Sequence, residues 1–131
     1  MANFKHKSEL FNILIVDKDD ESRRLFKKIL NSAHSDYHIS EAVDSEKTLD
    51  IISKKIPDLI ILDVMMPGNE GFDLCLRLKA DRRYQNIPVL IITALDKLED
   101  KIRGFKVGAS DYILKPINEL ETNARVEAHL R

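Results

Sequence analysis

Unbroken runs of branched aliphatic residues recur along the chain, at Ile13-Leu14-Ile15-Val16, Leu59-Ile60-Ile61-Leu62 and Val89-Leu90-Ile91-Ile92, with weaker ones at Tyr37 to Ala42 and Tyr112 to Leu114. None alternates with polar residues. That is the pattern of strands covered on both faces, as in a parallel sheet between two layers of helices. Between the runs the apolar positions change to helical spacing, at Leu25, Phe26, Ile29, Leu30 and Ala33, at Leu49, Ile52 and Ile56, and at Leu74, Leu76 and Leu78. Ile56-Pro57-Asp58 closes the second helix, Gly71 stands near the start of the third, Ile87-Pro88 leads into the fourth strand, and the last helix is predicted over 118–130.

Five such units predict an α/β fold, a doubly wound five-stranded parallel sheet with helices on both faces. Right-handed crossovers leave the flavodoxin-like strand order 2-1-3-4-5 as the economical topology. In that order the first and third strands are neighbours at the switch point, and ligands gather beyond their carboxyl ends. Residues 1–11 read as a loosely ordered leader and 12–131 as the folded domain, with no internal repeat, low-complexity segment or second-domain linker.

Composition narrows the function classes. The 131 residues are 44% hydrophobic and 33% charged, too apolar for a disordered tail and too interrupted by charge for a membrane protein. Twenty-one basic against 22 acidic residues leave a formal charge of −1, so no global field favours nucleic acid or an anionic membrane, and DNA binding would need another domain. The apolar runs fall far short of the ~18 residues that span a bilayer, and no signal-peptide core opens the chain, so a cytoplasmic location is expected. The single cysteine, Cys75, supplies neither an internal disulfide nor a cysteine metal cluster, and its place in a helical pattern predicts a small buried residue.

The chemistry collects at the carboxyl ends of the predicted strands. Asp17 ends the first, Asp63 the third and Thr93 the fourth, and the fifth runs into Lys115-Pro116. Singly these are ordinary capping or surface residues. Together they supply what phosphoryl transfer needs: a carboxylate able to form an acyl phosphate, and hydroxyl and cationic donors for the phosphoryl oxygens. Two carboxylates and a backbone carbonyl also suffice for magnesium, which takes oxygen ligands and keeps several waters. His6, His34, His38 and His129 are predicted away from this rim. Pro67 and Gly68 read as turn residues after Asp63, and Gly104 and Gly108 as packing or helix-end devices.

Four segments, Ile13 to Asp17, Asp58 to Gly68, Ile92-Thr93-Ala94 and Gly108 to Pro116, jointly resemble the receiver domains of two-component response regulators (CheY-like). The likeness runs from Asn12 to Arg131, and from Met65 onward it is most similar to receivers that precede diguanylate cyclase domains. It implies a phosphoacceptor, not an enzyme in the usual sense: Asp63 takes a phosphoryl group from a histidine kinase or phosphotransfer protein. Asp17, Asp63 and the backbone carbonyl of Met65 would hold Mg2+. Lys115 would pair with one phosphoryl oxygen and Thr93 with another. Tyr112 stands at the position of the aromatic that changes rotamer on activation, although a core aromatic with its hydroxyl at the surface would fit the same pattern. The Lys115–Pro116 peptide is expected to be cis. The switched surface would include the fourth helix, fifth strand and fifth helix, with Lys97, Asp100, Lys101, Arg103, Lys106 and Glu119 available to pair across a phosphorylation-dependent homodimer.

One departure bears on the metal. The family carries two adjacent acids after the first strand, and here the second is Lys18. The substitution lowers the expected magnesium affinity unless Asp19 or Asp20 turns inward, a helix cap being the other use of either; Lys18 could instead neutralise phosphoryl charge itself. It also opens a second reading, a pseudo-receiver that acts only by binding protein. A remote third follows from Asp17-Lys18-Asp19, the acid-x-acid signature of haloacid-dehalogenase-type phosphatases, in which Asp17 would be the nucleophile. Those enzymes place an acidic pair after the lysine, where this chain has Pro116-Ile117-Asn118.

Overall fold

A computed structural model describes residues 10–33, 36–66 and 70–130. Five strands, β1 (Phe11–Val16), β2 (Tyr37–Ala42), β3 (Leu59–Leu62), β4 (Val89–Thr93) and β5 (Asp111–Leu114), alternate with five helices. These are α1 (Asp20–Ala33), α2 (Ser45–Lys54), α3 (Glu70–Ala80), α4 (Leu98–Lys106) and α5 (Glu119–Leu130). The strands pair in parallel in the order β2-β1-β3-β4-β5, the predicted flavodoxin-like arrangement. β1 begins at Phe11, the last residue assigned to the leader, and pairs there with Tyr37; the rest of that segment up to residue 9 lies outside the described residues, as do His6, His34, Pro67 and Gly68.

Neighbouring positions on the central strands serve opposite layers, which explains the absence of polar alternation. Ile13, Ile15, Leu59, Ile61, Leu90 and Ile92 pack with Phe26 and Leu30 of α1 and Val126 and Leu130 of α5. Leu14, Val16, Ile60, Leu62, Val89 and Ile91 pack on the other side with Ile52 of α2 and Leu74, Cys75 and Leu78 of α3.

The helical spacing needs four corrections, the smallest at Ala33, which ends α1 exposed. Leu76 is exposed and Cys75 takes its place in the core, because positions 74, 75 and 78, not 74, 76 and 78, share a helical face. Ile56 lies beyond the end of α2 and is exposed, and Leu25 points outward beside the buried Phe26. Side chains cap the starts of α2 and α5: Asp44 accepts from the Lys47 N–H at 2.8 Å and Asn118 from the Glu121 N–H at 2.9 Å. Gly108 has φ of 101°, the left-handed conformation that ends α4.

Candidate functional site

The parallel register sets the two acids side by side. Val16 pairs with Leu62, so the residues that follow, Asp17 and Asp63, leave adjacent strands at the same level. Main-chain bonds continue the ladder past the strand ends: Asp63 N–H donates to Val16 O at 2.9 Å, Asp17 N–H to Ala42 O at 3.1 Å, and Lys115 N–H to Thr93 O at 2.8 Å. The Lys115–Pro116 peptide is cis, as expected.

The side chains converge. Lys115 Nζ donates to Asp63 Oδ2 at 2.7 Å and to Asp17 Oδ2 at 2.9 Å, joining both carboxylates through one ammonium. Asp17 is 2% exposed and Asp63 8%. Burial alone would lower the Lys115 pKa, but the hydrogen bonds and charges of Asp63 and Asp17 outweigh it and hold the ammonium above the ordinary lysine value. The remaining carboxylate oxygens accept from the main chain: Asp63 Oδ1 from Met65 N–H and Asp17 Oδ1 from Asp19 N–H, both at 2.9 Å.

Thr93 is fully buried at the end of β4, and its Oγ1 accepts from the Leu95 N–H at 3.5 Å. Tyr112 is half-buried and donates its hydroxyl to Leu95 O at 2.8 Å. Its ring lies so close to Gly104 that a Cβ there would come within 2.8 Å of Tyr112 Cδ2. Burial, followed by the nearby Asp100, Asp63 and Asp96, pushes the tyrosine hydroxyl up to about 12. Gly104 is therefore a packing device, as anticipated, and it packs the aromatic that touches the β4–α4 loop.

Neither acid after Lys18 turns toward the pocket. Asp19 caps α1, its carboxylate accepting from Glu21 N–H at 3.1 Å and Ser22 Oγ at 3.3 Å, while Asp20 pairs with Arg23. Lys18 itself is exposed. Among the described residues no three His, Cys, Asp or Glu side chains are grouped to hold a metal. Magnesium is bound through one or two carboxylates with waters completing its shell, and the buried Asp17 and Asp63 carboxylates fit that donor chemistry.

Two residues escaped the sequence reading. Ser22 Oγ lies 3.2 Å from Lys115 Nζ, a third acceptor for the same ammonium. Arg23 is buried and donates to the Asp17 carbonyl at 2.6 Å. A serine on a helix's first turn carries no signal, but Arg23 shares a face with Phe26 and Leu30, and a charge at that spacing was the available clue. His38 lies on β2, and His129 meets Asp111 at the start of β5, 3.2 Å away and at the far end of the strand from Lys115. Cys75 is buried on α3, donates to Val107 O at 3.5 Å, and burial pushes its thiol up to about 11.

Gly71, in the first turn of α3, presses on the loop that carries the acceptor. A Cβ there would lie 2.3 Å from Val64 Cα, the residue after Asp63. Because the obstacle is backbone, Gly71→Ala is expected to cost about 2 kcal/mol through overpacking. Urea denaturation reads this directly, and an unchanged midpoint would show that the loop has room to give.

Residues 13–127 match the family model of the response regulator receiver domain. Response regulator PleD of Caulobacter vibrioides is 42% identical over 119 residues, covering 91% of this chain and 26% of its own length. The DNA-binding dual master transcriptional regulator RpaA of a Synechocystis strain is 44% identical over 119 residues, 91% of this chain and 48% of its own. The chain thus spans a quarter to a half of these curated relatives. The beryllofluoride-activated N-terminal receiver domain of Klebsiella pneumoniae RstA superposes with a TM-score of 0.82 at 32% identity, over 92% of this chain and 98% of that one. A sheet ending in two clasped acids, a threonine and a lysine before a cis proline therefore stands in a chain that belongs to the response regulator receiver domain family.

Proposed function

We propose that this domain is a phosphoacceptor in two-component signalling, with Asp63 as the residue that takes the phosphoryl group. The observation that carries the reading is the Lys115 ammonium within 2.7 Å of Asp63 and 2.9 Å of Asp17, on a rim shared with Thr93. An Asp63 oxygen attacks phosphorus and forms the O–P bond. The bond from phosphorus to the donor breaks, and its electron pair leaves with the donor: the imidazole of a phosphohistidine on a kinase or phosphotransfer protein, or acetate from acetyl phosphate. Lys115, freed from one carboxylate partner, pairs with a phosphoryl oxygen, and the Thr93 hydroxyl turns from the Leu95 N–H to donate to another.

Magnesium would be held by Asp17, Asp63 and the Met65 carbonyl and would neutralise charge on the transferring group. The acyl phosphate carries about two negative charges where the Asp63 carboxylate carried one. Thr93 drawn inward pulls on the loop whose Leu95 carbonyl holds Tyr112, so the tyrosine is free to change rotamer and the surface of α4, β5 and α5 changes with it. On that surface Lys97, Asp100, Lys101 and Lys106 remain available for a two-fold partner. Arg103 lies over the Phe72 ring at 4.3 Å, and Glu119 accepts from Ser32 on α1, so both have intramolecular work instead. No helix among the described residues is long and apolar enough to cross a membrane.

The pseudo-receiver reading draws on Lys18 and on the engagement of Asp19 and Asp20 elsewhere. Incubation with acetyl phosphate and magnesium, reduction of the acyl phosphate with borohydride and peptide mass spectrometry separates the possibilities. The mark is expected on Asp63. A mark on Asp17 would indicate the phosphatase-like chemistry, and none on either acid would leave a protein-binding module.

A further inference from the structure

Asp17 is gripped through its main chain as well as its carboxylate. Its N–H donates to Ala42 O on β2 at 3.1 Å, and its carbonyl accepts from Arg23 Nη1 at 2.6 Å. Arg23 is 8% exposed, and arginine is seldom buried unless its donors are matched. Here they are. Nε donates to Glu41 Oε1 on β2 at 3.2 Å, Nη2 reaches Asp20, and the second Glu41 oxygen accepts from Lys27 at 3.2 Å. A planar fork with fixed donor directions suits this three-way junction, and a flexible ammonium does not.

The place where the fork ends separates it from an ordinary staple. It holds the carbonyl of the residue whose carboxylate holds Lys115. Since the peptide is planar, fixing that carbonyl also fixes the N–H of Lys18 and the direction in which the turn leaves the strand. We propose that Arg23 is a positioning residue of the phosphoryl-accepting site, setting the Asp17 main chain so that its carboxylate and that of Asp63 meet one ammonium. The proposal rests on the acceptor reading of Asp63 for its functional consequence, and on geometry alone for the clasp. Without the guanidinium, a buried carbonyl loses its donor and Glu41 and Asp20 lose their shared cation, so the turn relaxes toward water.

The test compares Arg23→Gln, Arg23→Lys and Glu41→Gln with the wild type, each below its own unfolding temperature. Glu41→Gln weakens the same network from its far side and leaves the bond to Asp17 in place. Two readouts are used: the rate of Asp63 labelling by acetyl phosphate, and the proton–nitrogen NMR signal of the Lys115 ammonium, assigned by its loss in Lys115→Arg. The second needs no phosphorylation. Arg23→Gln is expected to lose the ammonium signal and to label about ten-fold more slowly or worse, as small misplacements at reacting groups do. Arg23→Lys should recover part of both and carries the comparison should Arg23→Gln not fold, while Glu41→Gln should keep both near wild type. A wild-type ammonium signal in the Arg23 variants, or an equal loss in Glu41→Gln, overturns the proposal and leaves Arg23 a fold staple. A wild type that takes no label while its ammonium signal still depends on Arg23 would sink the acceptor reading and leave the positioning role standing.

Discussion

Asp63→Asn takes up no label from acetyl phosphate, falling roughly a thousand-fold or more below wild type, because removing an attacking nucleophile costs rate on that scale. The carboxamide oxygen is a poor nucleophile and would yield an imidate-type phosphate in place of an acyl phosphate. The fold should hardly register the change. Lys115 keeps Asp17 at 2.9 Å, and the asparagine Oδ1 remains an acceptor for Lys115 or for the Met65 N–H. The change in unfolding free energy should stay within about 1 kcal/mol, the scale of one neutral hydrogen bond exchanged for a charged one. Gel mobility of the labelled protein and a thermal melt check the two halves together. Retained label would move the acceptor elsewhere, and a collapsed melt would show that the Asp63 charge serves the fold before it serves chemistry.

The site could be read from the sequence because parallel strands carry it. A buried strand of a doubly wound sheet is an uninterrupted aliphatic run, so its end is marked by its first polar residue, and Asp17 and Asp63 stand at those ends in register. The strand order then makes them neighbours, and Lys115 and Thr93 follow from the same rule on β5 and β4. The helical surface was harder. Exposed and buried positions on a helix differ by one residue: Cys75 is buried as expected, but Leu76, grouped with Leu74 and Leu78, is turned outward by the helical repeat. Ser22 and Arg23 were hidden for another reason. Their partners, Lys115 and the Asp17 carbonyl, come from elsewhere in the fold, and a polar residue on a helix's first turn looks like solvent-facing surface until the turn is built.

Lys18 stands where a second acid after β1 was expected, and Lys18→Asp is expected to tighten magnesium binding by roughly ten-fold or more. For any divalent ion and side chain about 8 Å apart, changing the side chain from +1 to −1 is worth about 2 kcal/mol in bulk-water dielectric. Screening at physiological salt removes part of that, and direct ligation by the new carboxylate would add to it. Asp19 and Asp20 offer no competing explanation, since one caps α1 and the other holds Arg23. Lys18→Met, which removes the cation without adding an acid, should fall between the two. Calorimetric titration with magnesium chloride gives the ordering, and equal affinity across the three proteins would show that Lys18 lies too far from the carboxylates to matter. The same charge acts in reverse on the phosphoryl group. With Asp17, Asp63, Lys18 and Lys115 counted together the pocket is formally neutral, so an arriving dianion meets less repulsion than it would beside a third acid. Labelling by acetyl phosphate in EDTA should therefore be slower in Lys18→Asp than in wild type, the reverse of the order expected when magnesium is present. A variant faster than wild type under both conditions would show that the lysine merely occupies a ligand position and contributes nothing to receiving phosphate.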